Sequence, residues 1–275
     1  MSTQTDALTR LAARLPRLTL PRQVSWRGWV IPLLLVVSLE AIVRLGWLPA
    51  HQMPPPSSIA LTLLDLAQGK LLDHTLASLS RVSSGFAIGA VLGIAVGTWV
   101  GLSQRAEDYL EPTFQGLRAI PSLASVPLLL LWLGIDEAPK VTLIAIGAFF
   151  PVYLALVAGI RNIDRKLIEV GRLYQLTGFE LVRRILLPAA LPNLLTGLRG
   201  ALSLAWMFLV AAELIAATRG LGYLLSDGRE TSRPDIVIAT ILVLAVLGKI
   251  SDGLLKSIEE RALHWRDSFA GESRS

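Results

Sequence analysis

The sequence predicts an all-α polytopic membrane protein with six transmembrane helices and with both termini in the cytoplasm. Apolar residues make up 53% of the 275 residues and only 17% are charged, and the mean hydropathy is +0.57. Soluble domains of this length rarely combine such values. The apolar residues also fall into blocks of about 20, the length that a helix needs to cross the hydrocarbon core of a bilayer.

The predicted spans follow a basic N-terminal segment, residues 1–28, which is expected either at the membrane surface or as a disordered tail. Prolines 49 and 54–56 end the first span, and a short outer helix is expected near Ile59–Ala67. Residues 257–275 are predicted as a cytoplasmic tail. The six spans are predicted at about residues 29–48, 82–102, 117–135, 141–160, 194–218 and 236–256.

Charged residues inside the spans have spacings that allow them to pair. Glu40 and Arg44 stand four residues apart, and Lys249 and Asp252 stand three apart, so each pair shares a helix face. We expect Glu40 and Arg44 to form a structural pair, because an isolated charge in a membrane span is costly; a transport role for Glu40 is the alternative.

The second span has a glycine at every fourth position, so one face of the helix is bare backbone. Since lipid gives helices little hydrophobic reason to associate, close packing at small residues takes that role. The spacing therefore predicts a tight helix–helix contact along this face. The glycines are Gly85, Gly89, Gly93, Gly97 and Gly101.

Two features of the later spans make them candidates for the transport pathway. Pro121 and Pro127 interrupt the third span, which ends near Trp132, and a proline frees a backbone carbonyl that needs a partner in protein or in a wet cavity. Broken spans often line the pathway in transporters, and a kinked packing helix is the alternative. Glu213 is expected near the outer end of the fifth span, with a tentative role in gating or in partner docking.

The lysines and arginines fix the predicted orientation. With the termini and the loop after the fourth span placed in the cytoplasm, 18 of the 26 basic residues lie inside, Arg105 and Arg118 among them, and seven lie outside. This distribution follows the positive-inside rule.

The loop after the fourth span is the most polar stretch of the chain. Seven basic residues lie between Arg161 and Arg199, against three acidic ones. Asp164 is placed to cap a helix N-terminus, and Thr177-Gly178 is placed to end that helix before a second short one at Phe179–Leu187. The first helix has an apolar face at helical spacing, and two such helices with basic flanks indicate a docking site for a partner. The face contains Leu167, Val170, Leu173, Tyr174 and Leu176.

The spacing within this loop resembles a signature of the permease subunits of bacterial binding-protein-dependent ABC importers. That signature reads Glu-Ala-Ala, three residues, Gly, nine residues and Ile-x-Leu-Pro. Here Glu169 and the Ile185–Pro188 stretch match in register. The two alanines are replaced by Val170 and Gly171, and the glycine is replaced by Gln175, although Gly178 lies close by.

Further motifs are similar to the nitrate/sulfonate/taurine branch of this family. They are Pro121-x-x-Ala124-x-x-Pro127-Leu128, Trp132-Leu133-Gly134-Ile135, and Ala212-Glu213 followed by Gly220-Leu221-Gly222-Tyr223. Residues 134–137, 159–165 and 247–252 are most similar to aliphatic-sulfonate permeases, and residues 213–220 lean toward taurine permeases.

The resemblance implies a type I ABC importer permease fold in the bacterial inner membrane. It further implies a homodimer of this subunit, surrounded by lipid, with two cytoplasmic ATP-binding subunits and a periplasmic solute-binding protein. The chain itself would be non-catalytic and free of cofactors, and would pass a small organic anion, most similar to an aliphatic sulfonate. The ATPase-coupling loop, 161–193, would act through Glu169, Gly171, Arg172, Tyr174, Gln175, Leu176, Thr177, Gly178, Ile185 and Pro188.

Several other classes are excluded or disfavoured. The chain has no cysteine, and its histidines, His51, His74 and His264, show no metal-ligand spacing and are expected to be solvated loop residues. No Walker A motif is present, so another chain would have to bind ATP, and the basic residues lie in loops beside spans rather than in a nucleic-acid patch.

Three alternatives remain open. The same machinery could carry taurine or nitrate. A proton-coupled secondary transporter could use Glu40, Glu213 and Asp252 as a relay, but it would leave the loop signature unexplained. A polytopic membrane enzyme is disfavoured because no Gly-x-Ser-x-Gly, His-Glu-x-x-His or paired intramembrane aspartates occur.

Overall fold

The computed structural model describes residues 27–49, 51–69 and 71–264. The N-terminal segment up to residue 26 and the end of the predicted cytoplasmic tail, 265–275, lie outside these residues. A 3-10 turn, Ser122–Ser125, precedes helix α5, and a π-turn, Val182–Leu186, joins α8 to α9 without a break. The helices are α1 Arg27–Arg44, α2 Pro56–Gln68, α3 Leu71–Leu102, α4 Gln104–Ala119, α5 Val126–Leu133, α6 Glu137–Arg161, α7 Arg165–Leu173, α8 Gly178–Leu181, α9 Leu187–Ala216, α10 Leu221–Glu230 and α11 Pro234–Ala262.

Four continuous helices in the described part of the chain are long and apolar enough to cross a membrane. They are α3, α6, the run Gly178–Ile215 and α11. α4 and the following segment Ser122–Leu133 form a fifth if the bent pair is counted as one broken span. α1 covers residues 29–44 of the first predicted span, 29–48, and three of its 18 residues are charged. The predicted count of six spans and its orientation therefore stay predictions.

The predicted third span, 117–135, is wrong as a single helix. The chain instead turns by 83° between α4 and the Ser122–Leu133 segment. Ile120, which precedes Pro121, adopts an extended conformation with ψ 124°, as the proline ring demands of its neighbour. α4 begins much earlier, at Gln104, where the Ser103 Oγ accepts from the Ala106 N–H at 3.2 Å. Hydropathy misses α4 because half of its residues are polar.

The second span also begins earlier than predicted, at Leu71 instead of 82. Its first three turns contain His74, Ser78 and Arg81 at helical spacing, all of them buried. A hydropathy window discards such a stretch. The structure keeps it helical because these polar groups bond to α9 and to the loop that follows it.

α6 is the central helix of the described bundle. Its two most extensive contacts are with α3 on one side and with α9 on the other. The core between α6 and α9 includes Ile144, Phe208 and Leu209, with Val126 and Leu129 of α5 packed beside them. Small residues bring α9 equally close, since a Cβ added at Gly197 would lie 2.3 Å from the Cβ of Ala155.

All five glycines of the predicted face contact α6. A Cβ added at Gly85, Gly89, Gly93, Gly97 or Gly101 would lie between 2.3 and 3.2 Å from an atom of α6. The tightest position is Gly89, where that Cβ would be 2.3 Å from the backbone oxygen of Ala145. The backbones of α3 and α6 therefore touch over most of their shared length.

Of the two charge pairs that the sequence allows within spans, one forms and the other does not. The Arg44 Nε donates to the Glu40 Oε1 at 2.6 Å, as expected. Asp252, which the spacing allows to pair with Lys249, instead accepts two hydrogen bonds from Arg199 of α9, at 2.9 and 3.0 Å. This bidentate contact ties α11 to α9, which sequence spacing within one helix cannot reveal.

We expect Gly89→Ala to destabilise the protein, because the new methyl group would press against the backbone oxygen of Ala145 rather than against a flexible side chain. Overpacking of this kind costs about 1–3 kcal/mol. The change should lower the thermal unfolding midpoint in detergent. The matched control is Gly248→Ala on α11, where a Cβ meets nothing within 4 Å. Equal midpoints for the two variants would contradict the close α3–α6 contact.

Candidate functional site

α7 and the turns on either side of it connect the central helix α6 to α9. The Asp164 Oδ1 accepts from the Lys166 N–H at 2.9 Å, so the predicted cap is present. This bond satisfies one of the N–H groups that every helix start leaves without an internal partner. α7 therefore begins at Arg165, and three residues, 162–164, separate it from the end of α6 at Arg161.

The apolar face of α7 is not covered by the rest of the protomer. Leu173 is 82% exposed and Tyr174 is 78% exposed, while Leu167 and Val170 are about half exposed. Leu176 is half-buried. A contiguous set of exposed large apolar residues marks an interaction site. We name Leu167, Val170, Leu173 and Tyr174 the α7 outer face.

The side of α7 that does pack inward depends on a glycine. Gly171 is buried, and a Cβ at this position would lie 2.5 Å from the Ile185 Cδ1 and 2.6 Å from the Leu181 Cδ1. Gly171 stands where the permease signature has its second alanine. The replacement of alanine by glycine therefore keeps a small residue at a position that has room only for a small one.

The turn after α7 explains the other departure. The Gln175 N–H donates to the Arg172 carbonyl at 2.9 Å, and the Leu176 N–H donates to the Gly171 carbonyl at 3.0 Å. These two bonds form a Schellman motif, which places one residue in the left-handed region. That residue is Gln175, with φ +59°. The signature has glycine here because glycine adopts this conformation without strain.

The second half of the predicted loop differs from the prediction. A separate short helix at Phe179–Leu187 is wrong, because α8, the π-turn and α9 form one continuous helix from Gly178. Pro188 lies inside this continuous helix directly after the π-turn, and its ring removes one backbone hydrogen bond there. Thr177 is extended at φ −130°, and Gly178 has φ +52°. The break between α7 and α8 is therefore only four residues long, 174–177.

The charges around the α7 outer face are available to a partner. Glu169 is exposed and makes no ion pair with any other described residue. Arg165, Lys166 and Arg172 on the same helix are also exposed. Glu180 has an ion pair with Arg184, at 3.6 Å, and both side chains remain more than half exposed.

A second group of polar residues lies at the opposite end of the bundle, centred on Arg81. This side chain is 2% exposed. Its Nε and Nη2 donate to Glu137 of α6 at 2.5 and 2.7 Å, and its Nη1 donates to Glu213 of α9 at 2.7 Å. Arg81 thus joins α3, α6 and α9 through one guanidinium group, a geometry that suits its fixed fork of donors.

Glu213 is the other centre of this group, which we name the Arg81–Glu213 cluster. It is 1% exposed, not a solvated helix-end residue. Its carboxylate accepts from the Ser78 hydroxyl at 2.8 and 2.9 Å and from the Gly222 N–H at 2.7 Å. A Cβ at Gly220 would lie 2.5 Å from this carboxylate, so the glycine permits the close approach.

His74 also belongs to this end, which corrects its predicted place in a solvated loop. The side chain is 8% exposed. Its Nδ1 accepts from the Gly220 N–H at 3.0 Å, and its ring stacks on Tyr223 at a centroid distance of 5.7 Å. His51 and His264 are exposed, as expected. Sequence analysis missed Arg81 and Glu137, although the spacing of His74, Ser78 and Arg81 marks one face of a helix.

The remaining pathway candidates do not join either group. Pro121 lies at the bend after α4 and is exposed, and Pro127 lies exposed in the first turn of α5. Trp132 is 69% exposed at the end of α5. These residues mark the break in the helix but do not converge on Glu213.

We expect Gln175→Gly to stabilise the protein, because a non-glycine residue in the left-handed region costs about 1 kcal/mol. The thermal unfolding midpoint should rise by a few degrees. Thr177→Gly is the matched control, since Thr177 has ordinary extended backbone and gains nothing from a glycine there. A lower midpoint for Gln175→Gly than for the unchanged protein would contradict the described turn.

Comparison with known proteins shows that the chain is similar to permease subunits of transport systems. The SsuC protein of Bacillus subtilis (strain 168), whose name describes an aliphatic sulfonates transport permease, is 41% identical over 252 residues, or 91% of this chain and 91% of its own. The SsuC protein of Escherichia coli (strain K12) is 39% identical and covers 88% of this chain and 92% of its own. The taurine transport system permease protein TauC of the same organism is 34% identical, with 89% and 94% covered.

A solved structure shares the fold. The inward-facing MetNI methionine ABC transporter contains a chain that superposes with a TM-score of 0.60 at 20% identity, over 70% of this chain and 95% of that one. Residues 89–264 match one family, and they include the C-terminal part of α3 with most of its glycine face, the central helix α6 and the α7 segment. The chain is a multi-pass membrane protein and belongs to the family of binding-protein-dependent transport system inner membrane components.

Proposed function

We propose that this chain is the permease subunit of an ATP-driven importer in the bacterial inner membrane, which passes an aliphatic sulfonate inward from a periplasmic binding protein. The observation that most supports the proposal is the α7 outer face. It is an uncovered apolar surface within a permease-like signature, in a chain with the family's fold. The substrate class follows the names of the two relatives at 41% and 39% identity.

α7 is the proposed contact with a separate ATP-binding subunit. The exposed Leu173 and Tyr174 supply apolar anchors, and Glu169 supplies a charge at the edge of the same surface. An apolar helix face of this kind fits a groove on a partner. The basic residues beside it favour a groove with an acidic rim.

The connections of α7 allow a movement at this contact to reach the membrane helices. On one side three residues link α7 to α6, and on the other a four-residue turn leads into the continuous helix of α8 and α9. Gly171 also holds α7 against Leu181 and Ile185. Closure of the ATP-binding subunits would therefore tilt α6 and α9 as rigid rods, which is the kind of two-state element that coupling needs.

The proposed assembly contains two copies of this chain, two ATP-binding subunits and one periplasmic binding protein. α1 and α11 expose long apolar surfaces, and only 17% of the most apolar stretch of α11 is buried within the protomer. Such surfaces must meet lipid or the second copy, because water would disfavour them. With α7 in the cytoplasm, the Arg81–Glu213 cluster lies at the periplasmic end, where the binding protein would dock.

Glu213 is proposed to position the loop that faces the binding protein rather than to contact it. The carboxylate is buried, and it holds the Gly222 N–H and the Arg81 guanidinium. Arg81 in turn donates to the Arg219 carbonyl at 2.6 Å. The cluster thus fixes residues 219–222 relative to α3 and α9, which gives the tentative gating role a physical basis.

Taurine or nitrate remains the alternative cargo, and the 34% identity to TauC supports taurine as the nearer of the two. A proton-coupled relay is less well supported. Glu40 is paired with Arg44, Glu213 with Arg81, and Asp252 with Arg199. Each carboxylate thus has its own arginine, and a proton would have to break that ion pair.

We expect Glu169→Lys to weaken binding of the ATP-binding subunit, because it reverses a charge at the edge of the contact. The loss should lie between the 0–1 kcal/mol of an exposed pair and about 3–5 kcal/mol for a desolvated one. The measurement is co-purification with the ATP-binding subunit, followed by substrate-stimulated hydrolysis in liposomes. Glu230→Lys at the opposite end is the matched control. Full coupling in the Glu169→Lys complex would mean that the subunit docks elsewhere.

We expect Glu213→Gln to lower transport while α7 still binds the ATP-binding subunit. The amide can accept from Gly222 but leaves Arg81 with one carboxylate fewer, and a hydrogen bond to a charged group is worth about 1.5–3 kcal/mol. The thermal midpoint should fall with the uptake rate. An unchanged midpoint together with normal uptake would show that the cluster positions nothing that transport needs.

A further inference from the structure

Arg118 lies near the middle of the bundle, not at its cytoplasmic edge where the sequence placed it. The ring of Phe114 on α4 lies 5.7 Å from that of Phe149 and 6.5 Å from that of Phe150. These phenylalanines occupy the middle of α6, Glu137–Arg161. Arg118 follows Phe114 by one helical turn, or about 6 Å along α4. Its Cα is therefore close to mid-depth.

Within the described residues the charge of Arg118 acts on the Tyr153 hydroxyl, but without a direct bond. The Arg118 side chain is exposed on the protomer surface and has no ion-pair partner there. Two carboxylates lie on the same side of α4, and neither forms an ion pair with Arg118. Glu107 pairs with Arg161, and Glu111 accepts from the Tyr153 hydroxyl at 2.5 Å and from the Gln115 amide at 3.3 Å.

A guanidinium with no direct ion pair at this depth is disfavoured against the lipid tails. A charged side chain at the centre of a bilayer costs several kcal/mol and is found facing a bundle interior or a water-filled cavity. Gln115, which shares its helix face, is exposed as well, and a Cβ at Gly116 would meet nothing within 4 Å. The second half of α4 therefore borders water or a space between subunits.

An apolar cavity lies directly beside this position. It has a volume of about 460 Å³ and lies between α3, α4, α6 and the Ser122–Ser125 turn. Leu117, the neighbour of Arg118, is part of its wall, together with Phe114 and Ile120. Ser122, Ser125 and Thr142 also line it, and the Ser125 hydroxyl donates to the Ser122 carbonyl at 2.6 Å. A cation beside an apolar wall fits a ligand with an anionic head and a short hydrocarbon tail.

We propose that Arg118 binds the sulfonate group of the substrate midway across the membrane, with the alkyl chain against the Leu117 side of this cavity. The inference rests on the proposed function and assigns a specificity-determining residue to it. The guanidinium presents several N–H donors in one plane and can hold two sulfonate oxygens at once. The arriving anion forms the ion pair that Arg118 lacks. The anion in turn avoids the free-energy cost of entering the lipid tails.

The electrostatic part of the proposal can be tested without knowing the substrate. Because the chain has no cysteine, Gln115→Cys gives a single thiol one turn from Arg118. The rate at which this thiol is modified is measured in the assembled complex with two reagents. One is the anionic 2-sulfonatoethyl methanethiosulfonate, and the other is the cationic 2-(trimethylammonio)ethyl methanethiosulfonate. We expect Arg118→Gln to lower the anionic-to-cationic rate ratio by roughly fivefold or more. An unchanged ratio, or a thiol that reacts with neither reagent, would overturn the proposal.

The transport part uses the complete complex in liposomes, with ethanesulfonate as the probe. Arg118→Gln should reduce its ATP-dependent uptake by about tenfold or more, Arg118→Lys should restore part of it, and Arg105→Gln on the same helix should have no effect. If the complex dissociates in Arg118→Gln, the arginine pairs with the second copy and the proposal is wrong. If the unchanged complex takes up no ethanesulfonate, the proposed cargo fails, whereas the rate ratio still decides whether Arg118 attracts anions.

Discussion

The backbone contact between α3 and α6 is the constraint on which the rest of the structure depends. Five glycines at four-residue intervals let the two helices approach until a methyl group at Gly89 would overlap the backbone of α6. In a membrane this contact replaces the hydrophobic effect, because lipid solvates apolar side chains as well as a protein core does. With α9 equally close on its other side, α6 is held as a rigid central rod.

Both proposed functional sites, α7 and the Arg81–Glu213 cluster, are connected to α6. α7 follows Arg161, the last residue of α6. In the first turn of α6, Glu137 accepts the hydrogen bonds from the Nε and Nη2 of Arg81. In the proposed mechanism, a tilt of α6 that is driven at α7 would reach the Arg81–Glu213 cluster, because Glu137 of α6 is bonded to Arg81. The proposed coupling between an ATP-binding subunit and residues 219–222 would then need no long chain of side-chain rearrangements.

The sequence was sufficient where one physical signal dominated. Hydropathy predicted the apolar helices, the glycine spacing marked the helix face that packs, and Asp164 marked the start of α7. The sequence was not sufficient where a residue's bonding partner lies far away in the chain. His74, Ser78 and Arg81 look like a polar loop until α9 and Gly220 are in place beside them. Arg118 was assigned to the cytoplasm because the Pro121 bend hides that α4 begins at Gln104. The signature positions Gly171 and Gln175 acquired a physical meaning only from the described turn.

The central claim is that the α7 outer face is covered by an ATP-binding subunit, and a single thiol tests it most directly. Leu173→Cys introduces the only cysteine of the chain at a side chain that is 82% exposed. Its reaction rate with a water-soluble maleimide is measured in the isolated permease and in the complex with its ATP-binding subunit. The account predicts rapid labelling of the isolated permease and at least about tenfold slower labelling in the complex. Equal rates in the two states would contradict it.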